Sequence, residues 1–276
     1  MSLFQAFLLG LVQGLTEFLP VSSSAHLVFV QHLMSFSEPL LLFDVVVHLG
    51  TLASLLLYFV EDLVHLIRDS IYGFFFLLRR KPVAEILETA PYSRWAFGIL
   101  IASIPTGLMG ILFKDWFEAL FGSLHAVGLA LLATSLILWA TRFKKGEKGI
   151  EKVRVLDYLA IGVMQGVAII PGISRSGSTI AAAFFVGLER ETAFRFSFLL
   201  AIPAILGAGV LELREGLQVG PGMWPALGVG FLTAAGVGYL SIRLVSAVVR
   251  KGKLHRFALY TLSLGLLTLF LSTRIE

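Results

Sequence analysis

Residues 13–26 read QGLTEFLPVSSSAH, and they place a glutamate, a proline, three serines and a histidine inside a long apolar segment. A proline removes a backbone donor and ends a helix, whereas a serine favours the position that begins the next one. The stretch therefore predicts two half-helices that meet at a break. Polar groups at membrane depth are costly, so they are retained where they bind or react.

The composition of the whole chain is that of a polytopic helical membrane protein. Its 276 residues are 57% hydrophobic and only 14% charged, and the mean hydropathy is +0.87. A soluble all-α protein needs more charge to cover its surface, and a membrane β-barrel would show short alternating strands instead of continuous apolar runs. With no cysteine, a disulfide framework and a thiolate metal site are both excluded.

Eight segments make up the predicted fold. Six are long enough to cross about 30 Å of hydrocarbon: 41–61, 93–113, 121–141, 193–212, 223–245 and 255–273. The other two, 3–34 and 155–188, are too long for one span, short for two, and broken near the middle by proline and small polar residues. We therefore predict an all-α polytopic membrane protein with six full transmembrane helices and two re-entrant helical hairpins.

The basic residues test this topology. If both broken segments re-enter, 18 of the 22 Lys and Arg residues fall on one side of the membrane. If 155–188 crossed completely, the division would be 13 against 8. The positive-inside rule favours re-entry and predicts that both termini face outside. The net charge of +4 is thus attributed to basic loops that set the orientation in the membrane, and not to a surface that binds nucleic acid. The N-terminus lacks the basic region of a cleaved signal peptide, so none is expected.

The two breaks share a sequence pattern. GLVQGLTEFLPVSSS (10–24) aligns with GVMQGVAIIPGISRS (162–176) at an offset of 152 residues. Identical residues at this offset include Gln13 with Gln165, Ser22 with Ser174 and Ser24 with Ser176. Because the hairpins enter from opposite sides, we predict an inverted-topology repeat in one membrane domain, with repeats of about 1–142 and 153–276. Chance similarity between two breaks in apolar sequence is the alternative.

The breaks predict an anion site. Each second half-helix aims free N–H groups and the positive end of its dipole at the middle of the membrane. Two such ends converge, at Ser22–Ser24 and at Ser174–Ser176, and Arg175 adds a full charge with planar donors suited to phosphate. The two helix N-termini and Arg175 together predict a pocket for phosphate or diphosphate. Simple helix capping by Ser22 and Ser174 is the alternative.

Three further side chains suggest chemistry at this pocket. Glu17, Ser23 and His26 supply a carboxylate, a hydroxyl and an imidazole, which together allow nucleophilic attack on phosphorus with acid–base help. Purely structural roles are the alternatives, for example Glu17 as the ion-pair partner of Arg175. His48, at the start of a predicted span, either lines the pocket or stays hydrated.

These motifs resemble those of the undecaprenyl-diphosphate phosphatases of the bacitracin-resistance type. The first is QGLTEFLPVSS followed by a histidine, at Gln13–His26; the second is PGISRSGST, at Pro171–Thr179; and the run FDVVVHLGTLAS also looks like the family. The resemblance implies a membrane enzyme that removes the terminal phosphate of a C55 polyprenyl diphosphate and so recycles the lipid carrier of cell-wall synthesis. It also implies a location in the bacterial inner membrane, a pocket open to the outside and a divalent cation, Mg or Ca.

The resemblance also assigns roles to residues. The catalytic set is Glu17, Ser23, His26 and Arg175, with Glu17 as a candidate metal ligand. The substrate-binding set is Gln13, Ser22, Ser174, Ser176 and Thr179. Gln13 stands where the family often has a glutamate, so this position offers no second carboxylate to a metal.

Several questions stay open from the sequence. Ser23 is the preferred nucleophile, with His26 or Glu17 as its base; direct attack by water and attack by His26 are the alternatives. A transporter or flippase of undecaprenyl phosphate, or of another anion, would use the same midplane pocket and belongs to an architecture of inverted repeats. It needs no nucleophile, so the Glu17, Ser23 and His26 set favours an enzyme. A homodimer is also left open.

Overall fold

A computed structural model describes residues 1–34, 36, 40–80, 82–144, 146–214 and 222–275 of the chain. Thirteen α-helices follow one another along these residues: α1 (Leu3–Thr16), α2 (Ser23–Leu33), α3 (Leu41–Tyr58), α4 (Val60–Leu78), α5 (Val83–Thr89), α6 (Ser93–Leu112), α7 (Lys114–Phe121), α8 (Leu124–Ala140), α9 (Val155–Val167), α10 (Arg175–Phe185), α11 (Arg190–Arg214), α12 (Trp224–Arg250) and α13 (Phe257–Ile275).

Six of these helices are long and apolar enough to cross a membrane: α3, α6, α8, α11, α12 and α13. They coincide with the six predicted spans to within a few residues, as for the segment 41–61, which forms a helix over Leu41–Tyr58. The predicted all-α polytopic membrane fold is therefore confirmed.

Both segments that the sequence predicts to be broken consist of two short helices. In the first, α1 ends at Thr16 and α2 begins at Ser23; in the second, α9 ends at Val167 and α10 begins at Arg175. At a rise of about 1.5 Å per residue, the 14 residues of α1 reach only about 20 Å, which is less than the hydrocarbon thickness. A helix of this length that enters the hydrocarbon ends inside it, where its terminal backbone groups need partners.

The first half of each hairpin packs tightly on a long helix from the other half of the chain. α1 lies against α12, and α9 lies against α6. A Cβ atom on Gly10 would come within 2.6 Å of the carbonyl oxygen of Gly230, and one on Gly162 would clash with the backbone of Ala102. Small residues allow this close approach of helices in membranes. The first helix of each hairpin thus packs on a helix from the other half of the chain, as an internal two-fold axis would require. The repeat boundaries stay a prediction.

An aromatic core lies beside the first break. Phe18 is fully buried and stacks on Phe198, with ring centroids 5.6 Å apart. Phe59 and Phe194 extend the cluster, since each lies within 6.1 Å of Phe198 by ring centroid. Aromatic burial of this kind contributes strongly to packing. The cluster fixes the end of α3 and the middle of α11 against the residue that follows Glu17.

Candidate active site

The two breaks meet each other. The backbone N–H of Gly172 donates to the Ser22 hydroxyl oxygen at 3.2 Å, and the Ser176 hydroxyl donates to the carbonyl oxygen of Leu19 at 3.1 Å. Each break therefore supplies a partner to a polar group of the other. The N-termini of α2 and α10 are brought together, as the sequence predicts.

Glu17 lies at the centre of this junction and is 8% exposed. Its Oε1 accepts from Nη2 of Arg175 at 2.5 Å. Its Oε2 accepts from the Ser23 hydroxyl at 2.6 Å and from Nε2 of Gln13 at 3.0 Å. One carboxylate thus holds the hydroxyl of one break and the guanidinium of the other. Ion pairing with Arg175, which the sequence left as an alternative role for Glu17, is present together with the contact to Ser23.

Arg175 has donors to spare. It is the first residue of α10, and its side chain is 15% exposed. Nη2 contacts Glu17, and the buried Nη1 has no hydrogen-bond partner among the residues that the structure describes. A buried donor without an acceptor is costly, so a ligand that accepts from it would be bound favourably. The planar fork of arginine suits two oxygens of one phosphate group.

The two serines that precede the second half-helices behave differently. The Ser174 hydroxyl caps α10 by accepting from the backbone N–H of Gly177 at 3.2 Å. Ser22 caps nothing with its side chain, and its φ of 69° is a left-handed value that a residue with a Cβ rarely adopts. The capping interpretation therefore holds for Ser174 and not for Ser22. The first N–H groups of α2 consequently lack a side-chain acceptor.

His26 contacts the backbone before Ser23 instead of the Ser23 hydroxyl. Its Nδ1 lies 2.7 Å from the carbonyl oxygen of Ser22, and its Nε2 lies 2.7 Å from the hydroxyl of Tyr260. Since a carbonyl oxygen only accepts, this geometry assigns the proton to Nδ1 and makes Nε2 an acceptor from Tyr260. The two rings also stack, with centroids 5.7 Å apart and an interplanar angle of 5°. In this arrangement Glu17, and not His26, holds the Ser23 hydroxyl.

The other predicted side chains of the second break face the backbone. The Ser174 and Ser176 hydroxyls lie 3.3 Å apart, and the Thr179 hydroxyl donates to the carbonyl oxygen of Arg175 at 2.9 Å. All three side chains are almost completely buried. These contacts hold α10 in place and keep the Arg175 side chain at the junction.

Three contributors to the junction carry no signal in the sequence. Tyr260 lies 234 residues after His26, on α13. Thr134, on α8, donates to the carbonyl oxygen of Gly172 at 2.8 Å and accepts from the N–H of Ser174 at 3.1 Å. The N–H of Gly172 itself is a backbone group. Only tertiary packing brings these groups to the site.

His48 lines the site. Its Nε2 is 3.7 Å from Oε2 of Glu17, while its Nδ1 contacts the carbonyl oxygen of Asp44 at 2.7 Å. Over the described residues, no group of three or more His, Cys, Asp and Glu side chains is placed to hold a metal ion. Both oxygens of Glu17 already accept hydrogen bonds from side chains. The protein side chains alone do not fit a metal cage at this site.

Fold and site together define a polytopic α-helical membrane protein with a buried polar site where two broken helices meet. The family model described as Bacitracin resistance protein BacA matches residues 6–267. The chain belongs to this family.

Curated relatives match over nearly the full length. The undecaprenyl-diphosphatase of Carboxydothermus hydrogenoformans is 44% identical over 277 residues, which is 98% of each chain. That of Desulforapulum autotrophicum is 43% identical over 270 residues, again 98% of each chain. That of Methanosphaera stadtmanae is 39% identical over 274 residues, 99% of each chain. The resemblance found in the two motifs thus extends along the whole sequence.

Proposed function

We propose that the chain hydrolyses undecaprenyl diphosphate to undecaprenyl phosphate and inorganic phosphate, which recycles the lipid carrier for cell-wall synthesis. The relatives named undecaprenyl-diphosphatase support the reaction. One structural observation carries it to these residues: Glu17 accepts from the Ser23 hydroxyl and from Arg175 at the same time. The Glu17 carboxylate, as the proposed base, therefore contacts both the proposed nucleophile and the phosphate-binding cation.

Binding of the diphosphate falls to the second half-helices. The Nη1 of Arg175 is a donor without a protein partner, and the first N–H groups of α2 have no side-chain cap. Both features favour an anion at the start of α2. Gln13 orients Glu17, and Ser174, Ser176 and Thr179 hold the second break. Substrate specificity for a polyprenyl chain would come from the apolar helices around the site.

The chemical step that we propose begins at Ser23. Its oxygen attacks the terminal phosphorus and gives its proton to Glu17. The anhydride P–O bond breaks, and undecaprenyl phosphate leaves with that bond's electron pair. Water then attacks the phosphoserine, which releases inorganic phosphate and restores the hydroxyl. Arg175 stabilises the charge on the transferring group, an electrostatic effect that often dominates such reactions. Direct attack by water, with Ser23 only binding, is the main alternative.

A divalent cation, Mg or Ca, remains part of the proposal as a companion of the substrate. Because the described side chains form no metal cage, the cation would be held mainly by diphosphate oxygens. Mg²⁺ commonly binds in this way, through few protein ligands and the phosphates themselves. When bound, it would neutralise phosphate charge.

Phosphate release from a polyprenyl diphosphate by the purified protein, with and without a chelator, tests the proposed activity. We expect release in the presence of Mg²⁺ or Ca²⁺ and strong inhibition by the chelator. Reconstituted vesicles provide the second arm. If the protein moves undecaprenyl phosphate between leaflets but releases no phosphate with either cation, the enzymatic proposal is wrong and a transporter accounts for the fold.

We also propose a location in the bacterial inner membrane, with the site and both termini facing outside. The asymmetric distribution of Lys and Arg supports this orientation. Single cysteines near Ser2 and near Lys148, introduced into this cysteine-free chain, report it. In intact cells an impermeant thiol reagent should label the first and not the second. The reverse pattern would exclude the orientation. A homodimer stays a prediction, which the protein's mass in detergent tests.

A further inference from the structure

A polar cavity lies away from the two breaks, where α3 and α12 end. It measures about 400 Å³ and is lined by Tyr58, Arg243, Ser246, Ala247, Arg250 and Lys251. Four of these residues follow one another at intervals of three, one and three along α12, so they share one face of the helix. The aromatic core around Phe59 and Phe198 lies between the end of α3 and Phe18, so this cavity is separate from the candidate active site.

The charge of the cavity is positive. Arg250 pairs with Glu191 through two contacts, at 2.8 and 2.9 Å. In the part of the chain that the structure describes, neither Arg243 nor Lys251 has an acidic partner. Three cations and one carboxylate therefore leave two positive charges uncompensated. Cations near a helix C-terminus complement its dipole, which explains Arg250 and Lys251, but the effect falls off within the last turn and does not explain Arg243.

Arg243 has an exposed side chain on the last turns of α12. It lies seven residues before the end of α12, which corresponds to about 10 Å along the helix axis. Its guanidinium carbon lies 5.7 Å from the ring centroid of Tyr239, and that ring lies 5.8 Å from Tyr58. The Tyr239 ring supports the guanidinium by a cation–π contact, and Tyr58 packs on that ring. An arginine that no carboxylate compensates in the described residues favours an anion within reach of its planar donors.

We propose that this cavity binds the phosphate group of an anionic membrane lipid. Arg243 would grip the phosphate, Lys251 would add charge, and the Ser246 hydroxyl would reach the headgroup. The planar donors of arginine suit phosphate oxygens. A volume of about 400 Å³ fits a headgroup better than a bare phosphate ion. The cavity lies on the side that the positive-inside rule predicts to be cytoplasmic, where basic pockets between helices bind anionic headgroups.

Protection of a cysteine in the cavity tests this proposal. Ala247 is exposed and lines the cavity, and the chain has no other cysteine, so Ala247→Cys gives one reporter. The full-length variant in neutral detergent is treated with a water-soluble maleimide, with added phosphatidylglycerol or phosphatidylcholine. We expect phosphatidylglycerol to slow labelling several-fold and phosphatidylcholine to have little effect. Equal protection by both lipids would overturn the proposal.

A matched pair of second substitutions separates a site from a charged surface. Arg243→Gln should remove most of the protection. Arg256→Gln removes the same charge from an exposed position outside the cavity, and should leave the protection within about twofold. Equal loss in both variants would mean diffuse attraction to a basic surface. Sodium phosphate is the third arm: if it protects as well as the lipid, the ligand is soluble phosphate. Neither substitution should change phosphate release, because neither residue belongs to the proposed catalytic machinery.

Discussion

The two broken helices begin from one sequence pattern and differ in what their side chains do. In the second break, Ser174, Ser176 and Thr179 contact backbone groups, that of Ser176 lying across in the first break, and Arg175 contacts a side chain of the first break. In the first break, the side chains of Glu17 and Ser23 contact each other. At the repeat offset, Ile169 stands opposite Glu17 and Arg175 opposite Ser23. In the proposed function, the first hairpin supplies the nucleophile and the base, and the second supports it and supplies a cation.

The glutamine that recurs at the repeat offset shows the same division. Gln13 donates to Glu17 at 3.0 Å, whereas Gln165 donates to the Thr106 hydroxyl at 3.3 Å. Both amide oxygens are buried and have no hydrogen-bond partner within the described ranges of the chain. A repeated motif therefore conserves the break in the helix, while the residues that differ between the copies decide the role of each.

The largest loss of activity should come from substitution of Ser23, the first residue of α2. Ser23→Ala keeps Arg175 and the N–H groups of α2 and loses the proposed nucleophile. Phosphate release should fall by several orders of magnitude, since losing a nucleophile costs up to about 10⁶-fold in a hydrolase. Equilibrium binding of substrate should change only modestly. Both are measured on the same folded preparation.

Ser24→Ala is the matched control for that change, because the Ser24 hydroxyl contacts Ser22 at 3.2 Å and not Glu17. It should retain activity within about tenfold, as expected for a side chain outside the reacting set. If Ser23→Ala hydrolyses substrate within a fewfold of the parent, Ser23 is not the nucleophile.

The next effect concerns Arg175, the cation that the second break places against Glu17. Arg175→Lys keeps the charge and loses the planar fork. We expect phosphate release to fall by about 10²- to 10³-fold, the usual cost of one transition-state donor. Rates at saturating and at limiting substrate distinguish loss of turnover from loss of binding. Near-normal turnover in Arg175→Ala would mean that the diphosphate binds elsewhere.

Substitutions of Ser22 and Ser174, which stand at equivalent repeat positions, should lower the stability of the protein by different amounts. Ser174→Ala removes a cap, which costs about 1 kcal/mol. Ser22→Ala leaves the N–H of Gly172 buried without an acceptor, at a cost of about 1–3 kcal/mol. Ser22→Gly loses the same acceptor but relieves the φ of 69°, so it should be more stable than Ser22→Ala. Unfolding midpoints in detergent would measure the order; Ser22→Gly below Ser22→Ala would refute the strain argument.

The smallest effect should follow Tyr260→Phe. The change removes the donor to Nε2 of His26 and leaves the ring stacking, so phosphate release should fall only a fewfold. Tyr239→Phe, a hydroxyl outside the site, is the control. Nitrogen-15 NMR of labelled histidines gives a direct check, with His26 assigned by its loss in His26→Gln. The parent should show the Nδ1–H form; an Nε2–H form would contradict the contact to Ser22.

The sequence predicted the fold better than the contacts of the site. Spans follow from apolar length, and breaks follow from Pro20, Pro171 and the serines near them, so both are local properties. The pairing of Glu17 with Arg175 is one of the alternatives that the sequence offers, because charges at membrane depth are usually paired. The φ of Ser22 and the contact between His26 and Tyr260 are not among those alternatives, because they depend on how α13 and the second break pack against α2. No local pattern encodes such contacts.

The stereochemical course at phosphorus tests most directly whether the first break supplies a nucleophile. In water enriched in a third oxygen isotope, the unaltered protein would hydrolyse a polyprenyl diphosphate whose terminal thiophosphate is chiral because it carries the two other isotopes, and the configuration of the released thiophosphate would be determined. Two successive displacements, by Ser23 and then by water, predict retention of configuration. Inversion would show a single displacement by water, and would contradict the role of Ser23 as the nucleophile held by Glu17.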